Sequence, residues 1–123
     1  MNQNIINSIV NFFFNLQFSM KLYHWNTTSY SRHKSSDSFM NKLLELTDKF
    51  VEVFIGRYNV KPLINSINTD DNIINDDGIV YLLTKSRTFL EELNDMIKDS
   101  ELLNIRDELI AEINQTLYLF KFQ

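Results

Sequence analysis

Gly56, Pro62 and Gly78 are the only glycines and proline in 123 residues. Glycine and proline are the strongest local breaks in regular structure. A sandwich or barrel needs such signals about every 8–12 residues, so this chain is expected to be all-α, with few long helices and few connections. Apolar periodicity agrees and predicts four helices. The first runs from about Asn4 to Thr28. The second starts between Arg32 and Ser36 and ends near Tyr58. The third follows the acidic pair Asp76-Asp77, which suits a helix N-terminus, and reaches about Lys98. The fourth runs from Glu101 to about Phe120, with Asp99-Ser100 as its cap. The connection 59–76 holds Pro62 and the run Asn68-Thr69-Asp70-Asp71-Asn72. One domain over 1–123, a four-helix bundle, is the resulting expectation.

The first helix constrains the assembly as well as the fold. At ~100° per residue, Ile5, Ile6, Ile9, Phe12, Phe13, Leu16, Met20, Tyr23 and His24 share one wide apolar stripe. Val10, Phe14, Phe18, Leu22 and Trp25 form a second stripe on nearly the opposite side. A bundle helix needs one apolar face. Two faces predict burial inside the protomer on one side and against another copy on the other. The alternative is that the connection 59–76 covers the second stripe.

Composition removes several classes of function. There is no cysteine, hence no disulfide framework, and with two histidines no structural zinc site of the usual kind. The first residues lack the basic start and small-residue cleavage site of a secretory leader, and asparagines at 4, 7, 11 and 15 interrupt the apolar run that a membrane span needs. No membrane association and a cytoplasmic location are expected. A net charge of −4, with no Lys or Arg in the first twenty residues, gives no support to DNA binding. No glycine loop cradles phosphate, and Asp70 to Gly78 lacks the alternating ligands and closing Glu of a calcium loop.

Both histidines and the only tryptophan fall in the stretch KLYHWNTTSYSRHKSSD, at the junction of the first two helices. His24 lies on the core side of the first helix. On the second, His33, Asp37, Asp48 and Glu52 follow at intervals of four, eleven and four. These intervals keep them within about one quadrant of a continuous helix, at the shoulder of the core stripe Phe39, Leu43, Leu46, Phe50, Phe54 and Tyr58. Singly, each has an ordinary structural explanation: a satisfied core histidine, a cap, a solvated carboxylate pair. Together, imidazoles and carboxylates on bundle helices suit iron or manganese, and zinc as well.

The stretch from Tyr23 to Gly56 resembles the Dps-type mini-ferritins of the ferritin-like superfamily. The resemblance rests on His24-Trp25-Asn26, on His33-x-x-x-Asp37, on Asp48-x-x-x-Glu52 and on the eleven-residue interval between the latter two motifs. The chain is also similar to small ferritin-like proteins of large DNA viruses, which would place it in host cytoplasm or virion. The resemblance implies a homodimer at least, with a dodecamer as the larger assembly. The metal site would lie across the dimer twofold, with His24, His33 and Asp37 from one subunit and Asp48 and Glu52 from the other. It implies a ferroxidase that oxidises Fe(II) to Fe(III) with peroxide or oxygen. Glu52 would bridge two metals, His24 and Asp48 would be primary ligands, and His33 and Asp37 would serve the weaker second metal. Trp25 would sit beside the metals and intercept stray oxidising equivalents. The alternative is a non-catalytic helical homo-oligomer on the same scaffold: a structural, virion or nucleic-acid-associated protein.

Overall fold

The computed structural model describes residues 1–67 and 75–122. It is an all-α four-helix bundle: α1 Asn2–Asn26, α2 Tyr30–Tyr58, α3 Asp76–Glu92 and α4 Ser100–Leu119, with a 3-10 turn Leu93–Asp95 after α3. The run Asn68 to Asn72 lies outside the described residues. Each helix has two main neighbours, α2 touching α1 and α4, and α3 touching α1 and α4. The bundle is thus a four-cornered ring, and the α1–α2 side is one of its outer walls.

The wide α1 stripe forms the core wall: Ile6, Ile9, Phe13, Leu16, Met20 and Tyr23 are buried, while Ile5 and Phe12 pack at its margin. Phe39, Leu43, Phe50 and Phe54 come from α2, and Leu83, Leu90, Leu102, Leu109 and Ile113 from α3 and α4. Phe13 meets Phe50 edge-on at 5.7 Å, and Phe12 stacks on Phe89 at 4.1 Å. Each fully buried large apolar side chain contributes about 1.5–3 kcal/mol relative to exposure, so this layer supplies most of the driving force.

Helix boundaries depart from the sequence expectation at several points: α1 begins at Asn2 rather than about Asn4, α3 begins at Asp76, within rather than after the acidic pair, and three others have a local cause. α1 ends at Asn26, two residues early, because the β-branched Thr27 turns to extended backbone (φ −68°, ψ 143°). α2 begins at Tyr30, earlier than the expected Arg32 to Ser36, because Ser29 caps it: the Arg32 amide donates to Ser29 Oγ at 3.2 Å. α3 stops at Glu92 rather than Lys98. Its end tightens into the 3-10 turn, where the Met96 and Ile97 amides both donate to the Leu93 carbonyl. Buried Arg106 donates there to the Leu90 carbonyl (2.8 Å) and to Asn94 Oδ1 (2.9 Å). Asp99 takes the cap position of α4, but its side chain makes no cap bond. It accepts from Tyr58 and pairs with Arg57 instead.

α2 closes at Asn59 in the left-handed region (φ 53°, ψ 49°), which asparagine tolerates. The chain then crosses the N-terminal part of α1. Gln3 donates to the Lys61 carbonyl, the Leu63 amide donates to Asn7 Oδ1, and Pro62 lies beside Val10 and Phe14. This crossing covers only the start of the second α1 stripe. Val10 is buried, whereas Phe14, Phe18 and Trp25 remain 41%, 53% and 65% exposed.

Candidate functional site

Three residues, Thr27 to Ser29, connect α1 to α2. The Ser29 amide donates to Thr27 Oγ1 at 3.2 Å, and the Thr27 amide returns to the Tyr23 carbonyl at 2.9 Å. So short a turn sets the last turn of α1 directly against the first turn of α2. His24 and His33 therefore stack, ring centroids 3.9 Å apart and planes 18° from parallel. His24 is buried and His33 is half-buried.

The backbone assigns the protons of the neutral rings. His24 Nδ1 lies 2.9 Å from the His33 carbonyl oxygen, and His33 Nδ1 lies 2.9 Å from the His24 carbonyl oxygen. A carbonyl only accepts, so both Nδ1 atoms carry hydrogen and both Nε2 atoms carry the lone pair. Ser36 completes the arrangement. Its hydroxyl lies 2.9 Å from His24 Nδ1 and donates to the His33 carbonyl at 3.0 Å. No hydrogen bond occupies either Nε2 among the described residues. An imidazole held by Nδ1–H on a backbone carbonyl, with Nε2 free, has the support typical of a metal-ligating histidine.

The three carboxylates occupy the outer wall. Asp37 lies one turn beyond His33, exposed, lining a depression with Phe18, Lys21, Met40 and Leu44. Asp48 is exposed and lines the adjoining depression with Phe14, Leu44 and Val51. Glu52 is exposed one turn further along α2. Within one chain, no three of the His, Asp and Glu groups among the described residues lie close enough together to hold a metal ion. The fold thus joins the two imidazoles and spreads the acids along the face that carries the exposed apolar stripe. Trp25 lies on the surface, with the Lys21 ammonium 5.3 Å from its ring centroid.

A further cluster stands behind the histidines, on residues that the sequence placed only in a core stripe or at helix ends. Arg32 Nε donates to the Phe120 carbonyl (3.1 Å), and Nη1 donates to Tyr23 Oη (3.1 Å) and to the Asp76 carbonyl (3.2 Å). Tyr23 in turn donates to Asp76 Oδ1 at 2.6 Å. Burial, then this bond to Asp76, raises the Tyr23 hydroxyl above its ordinary pKa, with Arg32 pulling the other way. The signal available beforehand was adjacency alone: Tyr23 precedes His24, and Arg32 precedes His33.

A model of a family of unknown function, DUF5856, matches residues 24–120. The chain belongs to that family. No curated protein and no solved structure matches it. The DUF5856 span begins at His24 and closes at Phe120, so it includes both stacked histidines, the three outer-wall carboxylates and Arg32 with its acceptors Asp76 and Phe120. Most of α1, including the exposed Phe14 and Phe18, precedes the DUF5856 span. No helix among the described residues is long and apolar enough to cross a membrane.

Proposed function

We propose that this DUF5856 protein is a ferritin-like, Dps-type ferroxidase whose iron site is completed by pairing two copies through the α1–α2 wall. His24, His33 and Asp37 of one copy face Asp48 and Glu52 of the other. The observation that carries the reading is the reciprocal histidine turn, in which both Nδ1–H groups are spent on carbonyls and both Nε2 lone pairs are kept. Nitrogen and carboxylate donors together suit Fe(II), and the same set accepts manganese or zinc. Among the described residues no three donor groups of one chain come together, so the reading requires a second copy to supply Asp48 and Glu52, and the exposed Phe14, Phe18 and Leu44 are the surface that would bring it in.

Fe(II) is here the substrate. Two ferrous ions each give up one electron, and a peroxide takes both electrons and two protons to leave as two waters. The protein's part is to hold the ions adjacent, to offset their charge with Asp37, Asp48 and Glu52, and to keep the imidazoles in the ligating tautomer. Holding a mineral would further require a closed cage such as a dodecamer.

The test is an anaerobic ferrous titration followed by peroxide addition, read by near-ultraviolet absorbance and by peroxide consumed. Saturable, iron-dependent consumption that disappears in His24→Ala and in Glu52→Ala is expected. Identical kinetics in the wild type and both variants would overturn the reading. The second reading, a non-catalytic homo-oligomer on this scaffold, is favoured by the exposure of all three carboxylates. It predicts assembly without peroxide consumption.

A further inference from the structure

His24 occupies the last turn of α1 and His33 the first turn of α2. Helix ends have the fewest backbone hydrogen bonds and fray most readily. The Thr27–Ser29 turn joins the two helices that carry the ring pair. We propose that Arg32 is the positioning residue of the His24–His33 pair, clamping both helix ends to α3 and α4 through Tyr23, Asp76 and the Phe120 carbonyl.

The geometry is that of a four-way tether. Arg32 belongs to α2, Tyr23 to α1, Asp76 to the first turn of α3, and Phe120 follows the last turn of α4. One guanidinium therefore reaches all four helices at the end of the bundle that holds the histidines. Its side chain is only 12% exposed, against 55% for Asp76, and its planar face lies 4.9 Å from the centre of the Phe120 ring. The Nη1–Asp76 Oδ1 separation is 3.7 Å, so the carboxylate is held chiefly by Tyr23. Arginine's flat fork can serve Nε and Nη1 acceptors in two directions at once, which a lysine ammonium on a flexible stem cannot reproduce. The tethered atoms are next to the rings in sequence: Tyr23 Oη is one residue from His24, and Arg32 is one residue from His33. A slip of either helix end by a fraction of a turn would take each Nδ1 off the opposite carbonyl and release both rings.

The inference builds on the proposed metal site, and its primary readout needs no metal. Nitrogen NMR of the imidazoles in the metal-free protein should show both rings as the Nδ1–H tautomer, with slowly exchanging Nδ1 protons. Arg32→Lys, and the milder Tyr23→Phe and Asp76→Asn, are compared at a temperature where far-ultraviolet circular dichroism matches the wild type. The variants are expected to lose the slow exchange and to mix tautomers. Affinity for Co(II), used as the probe, should weaken about 10–100-fold, as for other losses of support to ligating histidines. Unaltered imidazole signals in all three folded variants would overturn the proposal and leave the cluster a purely structural one. Altered signals in a protein whose wild type binds no Co(II) would uphold the tether and refute the metal site.

Discussion

Tyr58 and Phe50 show how single side chains divide the work of holding the bundle. Tyr58 donates to Asp99, which joins the end of α2 to the start of α4. That hydrogen bond, then burial and the charge of Asp99, pushes the Tyr58 hydroxyl above its ordinary value near 10, while Arg57 pulls it back. The folded state therefore holds this proton more tightly than the unfolded chain. The resulting stability is complete below the unfolded value and is lost as pH rises through the folded one. Urea midpoints should fall more steeply above about pH 10 in the wild type than in Tyr58→Phe, which has no proton to lose there. Phe50 acts through volume alone. It is fully buried against Phe13, and Phe50→Ala should cost about 3–5 kcal/mol in chemical denaturation through the cavity it leaves. Phe50 was legible as core from periodicity. The Tyr58–Asp99 bond was not, because periodicity says which face a residue occupies and nothing of which distant polar atom it finds.

Among the elements, α2 carries all of the candidate ligands except His24, and Ser29 decides where it begins. Ser29 accepts from the Arg32 amide through Oγ and from the His33 amide through its carbonyl. Arg32 and His33 thereby enter the first helical turn. Ser29→Ala should cost about 0.5–2 kcal/mol by thermal or chemical unfolding, and its effect should concentrate in amide exchange at residues 30–33. The four helices and their apolar faces were readable from the 3.6-residue rhythm and the scarcity of glycine and proline. The boundaries were less so. A start between Arg32 and Ser36 looked reasonable because Tyr30 to Ser36 is polar apart from its first residue, and a cap bond leaves no hydropathic trace. The early end of α3 was hidden for a similar reason. Leu93 and Ile97 continue the apolar rhythm and are buried, yet the backbone between them departs from α geometry where Arg106 reaches across to Leu90 and Asn94. Of the candidate site, the position of His24 and His33 near the helix junction was legible, whereas the stacking of their rings was not, because it depends on the three-residue link and on the Ser29 cap that starts α2 early. The spread of Asp37, Asp48 and Glu52 along the wall follows from the helical pitch.

For the whole molecule, the second α1 stripe is the feature with the widest consequence. Phe14, Phe18, Trp25 and Leu44 are all more than two-fifths exposed, Phe14 and Phe18 each share a depression with Leu44, and grouped apolar surface marks an interaction site more often than a free surface. If a second copy covers it about a twofold axis, each residue is buried twice. Static light scattering should give the wild type at least a dimeric mass, and Phe18→Lys combined with Leu44→Lys should halve that mass or more without loss of helicity. A monomeric wild type would remove the surface, and with it the shared iron site. The Thr27–Ser29 connection bears on the same end of the molecule. Because both imidazoles straddle a link only three residues long, lengthening that link acts directly on the geometry of the ring pair. A single inserted residue there would rotate one ring away from its mate while leaving every core contact in place, a lesion of chemistry with no lesion of folding.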